Sequence, residues 1–136
     1  MSEVLSDRRL GPLRDLRDDE LAVIRKMILR SALQEEFEKQ LARMKVQDMP
    51  DGGMGSITFY NGRQRSLLEY GGEIAEAAFR DADDMPVSVT LNVDKDGELF
   101  ELDVFKADGS PLIRYPDLDD LAIIERDAQG NVISAG

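Results

Sequence analysis

The sequence contains no cysteine and no histidine. The absence of cysteine excludes disulfide bonds and metal sites built on thiolates. General acid–base catalysis near neutral pH uses histidine most often, so its absence weighs against most hydrolytic triads and against an enzyme. No apolar run reaches the roughly 18 residues of a membrane span, and residues 1–11 lack the apolar segment of a signal peptide. We therefore expect a cytoplasmic protein that does not contact a membrane.

Acidic residues outnumber basic ones, 28 against 17, which gives a net charge of −11 over 136 residues. The charge is uneven, because residues 1–46 carry a net charge of +1 and residues 47–136 carry −12. A negative field repels phosphate backbones and attracts cationic surfaces. We therefore predict no nucleic-acid binding and a basic protein as the partner that this charge would suit. Solubility alone is the alternative explanation of the charge.

Apolar residues at helical spacing follow a polar stretch, residues 1–15, which we expect to form a flexible arm. Asp18 is suited to cap a first helix over residues 18–30, with further acidic residues in its first turn. Ser31, followed by a glutamine at the third position, is suited to a capping box at the start of a second helix over residues 32–44. Each helix has one apolar stripe, so the two are predicted to pack as a pair against the rest of the domain.

Beyond residue 46 apolar and polar residues alternate with the period of a strand. Short turns separate these segments, so neighbouring strands must be antiparallel. The tail is open to two interpretations, a hairpin around residues 127–131 or a short helix from Asp117. We predict one α+β domain, in which the helix pair covers one face of a mostly antiparallel meander sheet of about four to six strands. The predicted strands are 56–60, 65–70, 73–80, 87–93, 98–106 and 112–115.

The segment NVDKDGELFELD has oxygen-bearing residues at the positions that a twelve-residue calcium loop uses. They are Asn92, Asp94, Asp96 and, at the last position, Asp103, with Gly97 at the sixth. The flanking residues alternate with strand period, whereas such a loop lies between helices. We therefore favour a tight turn with a left-handed glycine that closes a hairpin, and calcium binding is the weaker alternative.

The stretch DGGMGS has three glycines in four positions, which lets the backbone bend sharply or approach another group closely. It lacks the lysine of a phosphate-binding loop, and a strand follows it rather than a helix. It is either an irregular connector or a contact loop with two nearby arginines that suit an anionic group. The residues of this candidate site are Asp51, Gly52, Gly53, Met54, Ser56, Arg63 and Arg65.

Three carboxylates, Glu76, Glu101 and Asp103, are predicted to share the sheet face that the helices leave open. Paired carboxylates can support glycosidic or metal chemistry. A solvated strand face explains the same residues more simply, and we favour that interpretation.

Three segments together resemble a family of small bacterial proteins known as a domain of unknown function. They are ELAVIRKMIL at 20–29, DGGMGSI at 51–57 and the run from 74 to 116 that contains LNVDKDGELFELD. The resemblance spans residues 17–116 and implies no activity and no catalytic residues. By analogy of size, charge and architecture alone, such proteins are similar to immunity proteins that neutralise toxins.

From these observations we predict a non-enzymatic, immunity-like or regulatory protein that binds a partner through its acidic sheet side. The alternative is a small ligand-binding protein or enzyme with its site beside the DGGMGS stretch. No cofactor is expected, and the sequence leaves the oligomeric state open.

Overall fold

Two α-helices and seven β-strands form the part of the chain that the computed structural model describes, residues 10–62 and 69–136. The helices are α1 (Asp18–Ile28) and α2 (Gln34–Arg43). The strands are β1 (Lys45–Asp48), β2 (Ile57–Tyr60), β3 (Tyr70–Arg80), β4 (Pro86–Asp94), β5 (Leu99–Lys106), β6 (Ala122–Arg126) and β7 (Val132–Ala135).

The N-caps of the two helices lie one and two residues away from the predicted caps. The N-cap of α1 is Arg17 rather than Asp18, and its backbone amide donates to the Glu20 carboxylate at 2.8 Å. The Ser31 hydroxyl accepts from the Leu33 amide at 3.1 Å, so it closes a local turn and α2 starts only at Gln34. The capping box predicted at Ser31 is therefore wrong, although both helices exist close to where their apolar spacing placed them.

The strands form a single antiparallel sheet in the order β1-β2-β5-β4-β3-β6-β7. The central β3-β4-β5 meander agrees with the prediction, but the sheet has seven strands rather than about four to six. The strand not predicted, β1, follows α2 directly and pairs with β2. No regular strand forms over residues 112–115, because the Ile113 and Arg114 amides donate to a side chain, Asp81, instead of to a neighbouring strand. The predicted strand over 65–70 lies mostly outside the described residues.

One face of the sheet packs against the two helices and forms the core. Alternate residues of β4 and β5 point into it, as their spacing predicted, but Phe100 does not join Leu102 and Val104 there. A bulge opposite Asn92 and Val93 shifts the register, so that Leu99 takes the core position. The core side chains come from α1, α2 and β1 to β5 and include Ile24, Ile28, Phe37, Leu41, Val46, Ile57, Phe79, Val89, Leu91, Leu99 and Leu102.

The N-terminal segment and the tail lie at opposite edges of the sheet. Gly11 donates its amide to the Asp48 carbonyl, and Arg14 exchanges two backbone hydrogen bonds with Val46, so this part of the predicted arm lies along β1. In the tail a short 3₁₀ turn, Leu118–Asp120, precedes the β6–β7 hairpin, so both interpretations of the tail describe part of it. Within residues 10–62 and 69–136 no helix has the length and apolar character that crossing a membrane requires.

Candidate functional site

The DGGMGS stretch, called here the glycine loop (residues 51–56), is wrapped around one carboxylate. Asp51 accepts hydrogen bonds from the amides of Gly53 at 3.2 Å, Met54 at 3.1 Å and Ser56 at 2.9 Å. The wrap needs left-handed backbone at Gly52 and Gly53, with φ of 76° and 84°, which other residues adopt only under strain. The glycine loop is therefore held in one conformation from within.

Residues 111–115, called here segment 111–115, run beside the glycine loop and bond to it twice. The Leu112 amide donates to the Gly53 carbonyl at 2.9 Å, and the Tyr115 hydroxyl donates to the Gly55 carbonyl at 2.8 Å. A Cβ on Gly55 would lie 3.2 Å from Leu112 Cδ2 and 3.3 Å from Tyr115 Cε1. A side chain at Gly55 would therefore require Leu112 and Tyr115 to shift by a few tenths of an ångström.

A buried ion pair fixes segment 111–115 from its other side. Asp81 Oδ2 lies 2.8 Å from Lys106 Nζ and also accepts the Ile113 amide at 2.8 Å, while Oδ1 accepts the Arg114 amide at 3.3 Å. Burial alone would raise the pKa of Asp81, but hydrogen bonds from Lys106 and three backbone amides outweigh it and lower the pKa to about 2. Lys106 is also held by Asp83 at 2.7 Å. Asp81 therefore stays charged and positions the backbone that carries Arg114.

A second charged cluster lies where α1 begins. The Arg14 guanidinium makes a bidentate pair with the buried Glu20 carboxylate, both contacts at 2.8 Å, and also bonds to Asp48 at 2.8 Å. The hydrogen bonds that Arg14 donates to Glu20 and Asp48 raise the pKa of Arg14, and the bond to Asp48 lowers the pKa of Asp48. Arg17 lies over the Tyr115 ring, with its guanidinium carbon 5.6 Å from the ring centre. Burial, reinforced by the Glu20 charge, raises the pKa of Tyr115.

The glycine loop, segment 111–115, the end of β1 and the start of α1 line a cavity of about 380 Å³ that is open to solvent on one side. Its wall contains charged residues of both signs. The basic ones are Arg17 and Arg114, and the acidic ones are Asp19, Asp48 and Asp51. Tyr115, Leu112 and Ile113 add aromatic and apolar surface.

The predicted loop site is only partly the site that the fold assembles. Asp51, Gly53 and Ser56 line the cavity. Met54 lies elsewhere, with its sulfur accepting the Lys106 amide at 3.4 Å. Gly52 is not in the cavity wall, and Arg63 and Arg65 lie outside the described residues. Sequence reasoning missed Arg17, Arg114 and Tyr115, because they lie far from the glycine loop along the chain. It also missed Asp48, which lies three residues before the loop but carries no motif.

The three predicted sheet carboxylates share the face opposite the core, as their alternation predicted, and lie in two different rows of the sheet. Glu76 and Asp103 lie opposite the same residue of β4, two strands apart. Glu76 is bound by Arg126 through two contacts of 2.7 and 2.8 Å, which lower its pKa. Asp103 accepts from the Asn92 amide at 2.9 Å, and Glu101 is buried in a neighbouring row. The described contacts thus give Glu76 and Asp103 different partners.

The segment with calcium-loop spacing is the turn of the β4–β5 hairpin. Asp94 Oδ1 accepts the amides of Asp96 at 2.9 Å and Glu98 at 3.1 Å, and Gly97 has a left-handed φ of 80°. This confirms the tight turn with its left-handed glycine. Asp103 lies in the strand beyond it, and strands rather than helices flank the turn. In the described parts of the chain, no three acidic residues are grouped for metal binding.

Comparison with known families places residues 13–116 in a domain of unknown function, DUF6984, and the chain belongs to this family. The matched region contains α1, α2, β1 to β5 and every residue of the cavity wall, whereas the β6–β7 hairpin lies beyond it. No curated protein and no solved structure matches the chain.

Proposed function

We propose that the protein binds a small polar ligand in the cavity beside the glycine loop. The observation that carries this proposal is the cavity itself, about 380 Å³ with charged groups of both signs in its wall. Small-molecule sites typically have volumes of about 300–1,000 Å³ and combine apolar walls with a few placed polar groups. The volume lies near the lower end of that range, which favours a ligand with few atoms.

The rigidity of the wall supports the same function. The glycine loop is held by three amide bonds to Asp51, and segment 111–115 is held by Asp81 on one side and by the glycine loop on the other. A wall that is already ordered loses little conformational entropy when a ligand binds, so more of the contact energy appears as affinity.

Binding without catalysis fits the state of the two hydroxyl groups near the cavity. Ser56 is buried, and its hydroxyl is bonded to both backbone groups of Val104, accepting at 2.9 Å and donating at 3.2 Å. The Tyr115 hydroxyl is committed to the Gly55 carbonyl, and burial disfavours its ionised form. Within residues 10–62 and 69–136, both hydroxyls donate to backbone carbonyls and neither donates to a carboxylate that could activate it as a nucleophile.

The test is a screen of small polar molecules, read by the backbone amide NMR signals of the protein. We expect ligands to shift the signals of the glycine loop and segment 111–115 in the wild type and not in Ile113→Trp, which narrows the cavity. Ile133→Trp is the matched control, because Ile133 is similarly exposed, 65% against 58%, but lies on β7. Ligands that bound Ile113→Trp as well as the wild type, or a screen without any cavity shift, would contradict the proposal.

Binding of a basic protein to the acidic sheet side is the second candidate function. The open face of β3 to β5 carries an aromatic side chain, Phe105, that is 54% exposed, and residues 47–136 have a net charge of −12. Electrostatic attraction of this kind mainly speeds association. We expect the association rate with such a partner to fall steeply as salt is added and to fall further in Phe105→Ser. A rate that ignored salt would contradict this function.

A further inference from the structure

The charges around the cavity define a class of ligand, an inference that rests on the function proposed above. We infer that the cavity receives a small zwitterion with an apolar body, such as a free apolar amino acid. Its carboxylate would bind Arg114, and its ammonium group would face the carboxylates of Asp19, Asp48 and Asp51.

Arg114 is the cation that remains for a ligand anion. Within residues 10–62 and 69–136 no side-chain carboxylate pairs with its guanidinium, although its backbone amide is fixed by Asp81 at 3.3 Å. Arg17, the other cation in the wall, is already engaged by Asp19 at 3.2 Å and by Glu20 at 3.4 Å. A guanidinium binds a planar carboxylate through two parallel hydrogen bonds, so Arg114 suits this group.

The carboxylates in the wall make a simple anion a poor ligand. Asp48 accepts from Arg14, Asp19 from Arg17 and Asp51 from three loop amides. A carboxylate has about four acceptor sites, so each of the three can still accept from a ligand. An anion without a positive group would meet these charges and the net charge of −11. A cation without a negative group would lie beside Arg114 and leave it unpaired. A ligand that carries both charges meets neither penalty.

The remaining wall supplies surface for an apolar body. Leu112, Ile113, Tyr115 and Met49 line the cavity together with the charged groups. The Tyr115 hydroxyl is bonded to the Gly55 carbonyl, so this residue adds aromatic surface rather than a free polar group to the wall. Burial of apolar surface against these side chains would provide affinity, while the charges would set orientation.

The test uses the free L-amino acids alanine, valine, leucine, isoleucine, methionine and phenylalanine, with calorimetry for affinity and amide NMR for location. We expect at least one to bind with shifts confined to the glycine loop and segment 111–115. Its N-acetyl derivative lacks the ammonium group and its amide derivative lacks the carboxylate, and each should bind about tenfold more weakly or worse. Arg114→Gln should raise the Kd by a similar factor, whereas Arg30→Gln, a remote exposed arginine, should leave it within about twofold.

Derivatives that bind as tightly as the parent amino acid, or an Arg114→Gln variant with unchanged affinity, would overturn the inference. So would the absence of any cavity shift with all six amino acids. If another molecule from the wider screen binds in the cavity while the amino acids do not, the ligand class is wrong and the proposed function stands. If neither the screen nor the amino acids shift cavity signals, both are wrong.

Discussion

Asp81→Asn is the substitution that tests how the cavity wall is held. The side chain of Asp81 is fully buried and accepts hydrogen bonds from Lys106, Ile113, Arg114 and Ala82. The variant removes the negative charge from beside a buried ammonium group and replaces an acceptor by a donor. Breaking a buried pair in this way typically costs about 3–5 kcal/mol. We expect the lower end, about 3 kcal/mol, because Lys106 keeps its contacts with Asp83 and the Pro111 carbonyl.

The pH dependence of stability gives a second measure of the same contact. The pKa of Asp81 falls from 3.8 to about 2 in the folded protein. A lowered folded-state pKa means that the contribution is fully present above pH 3.8 and is lost as the pH falls through about 2. One pKa unit corresponds to about 1.4 kcal/mol, so this contribution is about 2 kcal/mol. Other carboxylates titrate nearby in pH, so the informative quantity is the difference between wild type and variant.

The assay is denaturant unfolding at neutral pH and at steps between pH 5 and pH 2. Asp84→Asn is the matched control, because Asp84 lies in the same turn and its side chain is 86% exposed. We expect the control to stay within about 0.5 kcal/mol of the wild type. The difference between wild type and Asp81→Asn should shrink as the pH falls below 3.8. Equal stability of the two variants at neutral pH, or a difference that does not change with pH, would refute the reasoning.

Three further predictions concern the site and the hairpin turn. Gly55→Ala and Gly52→Ala should each lower the free energy of unfolding by about 1–3 kcal/mol, because both glycines have a positive φ. The loss should be larger for Gly55→Ala, because the added Cβ meets Leu112 and Tyr115, whereas nothing lies within 4 Å of Gly52. Equal losses in denaturant unfolding would contradict this. Tyr115→Phe should lower the free energy of unfolding by about 1 kcal/mol, because it removes the hydrogen bond to the Gly55 carbonyl. Because burial raises the pKa of Tyr115, this tyrosine contributes stability that is lost as the pH rises above 10.0. A spectroscopic titration of the wild type should therefore show one tyrosine that ionises at higher pH than the others, and Tyr115→Phe should lack this transition. Millimolar calcium should leave the thermal midpoint unchanged, since strands flank the NVDKDGELFELD turn; a rise of several times the fitting error would restore the calcium interpretation.

Local signals in the sequence predicted those parts of the fold that local interactions determine. The acidic first turn of α1, the alternation of Val87, Val89 and Leu91 on β4, and the Asp94–Gly97 turn all depend on neighbouring residues. Their positions in the structure agree with the prediction, because period and turn chemistry act over a few residues.

Distant contacts explain the parts that sequence reasoning missed. Segment 111–115 alternates enough to predict a strand, yet its amides donate to Asp81, more than thirty residues earlier in the chain. Phe100 leaves the core because it is the extra residue of a bulge in β5, where Leu99 and Glu101 lie opposite consecutive residues of β4, and the alternation within β5 does not reveal this register. β1 was not predicted, because a strand of four residues is too short to show a clear period and it is defined by its pairing with β2.

The candidate site shows the same division. The glycines marked residues 51–56 as unusual because left-handed backbone leaves a trace in composition. The groups that would hold a ligand, Asp19, Asp48 and Arg114, come from three separate segments and meet only in the folded chain. Their juxtaposition has no signature at fixed spacing.

The measurement that tests the central claim most directly is amide NMR of the labelled protein with the small-molecule fraction of a cell extract. A ligand site in the cavity predicts shifts concentrated in the glycine loop and segment 111–115, and their loss in Ile113→Trp. An unchanged spectrum, or shifts confined to the open face of β3 to β5, would contradict it.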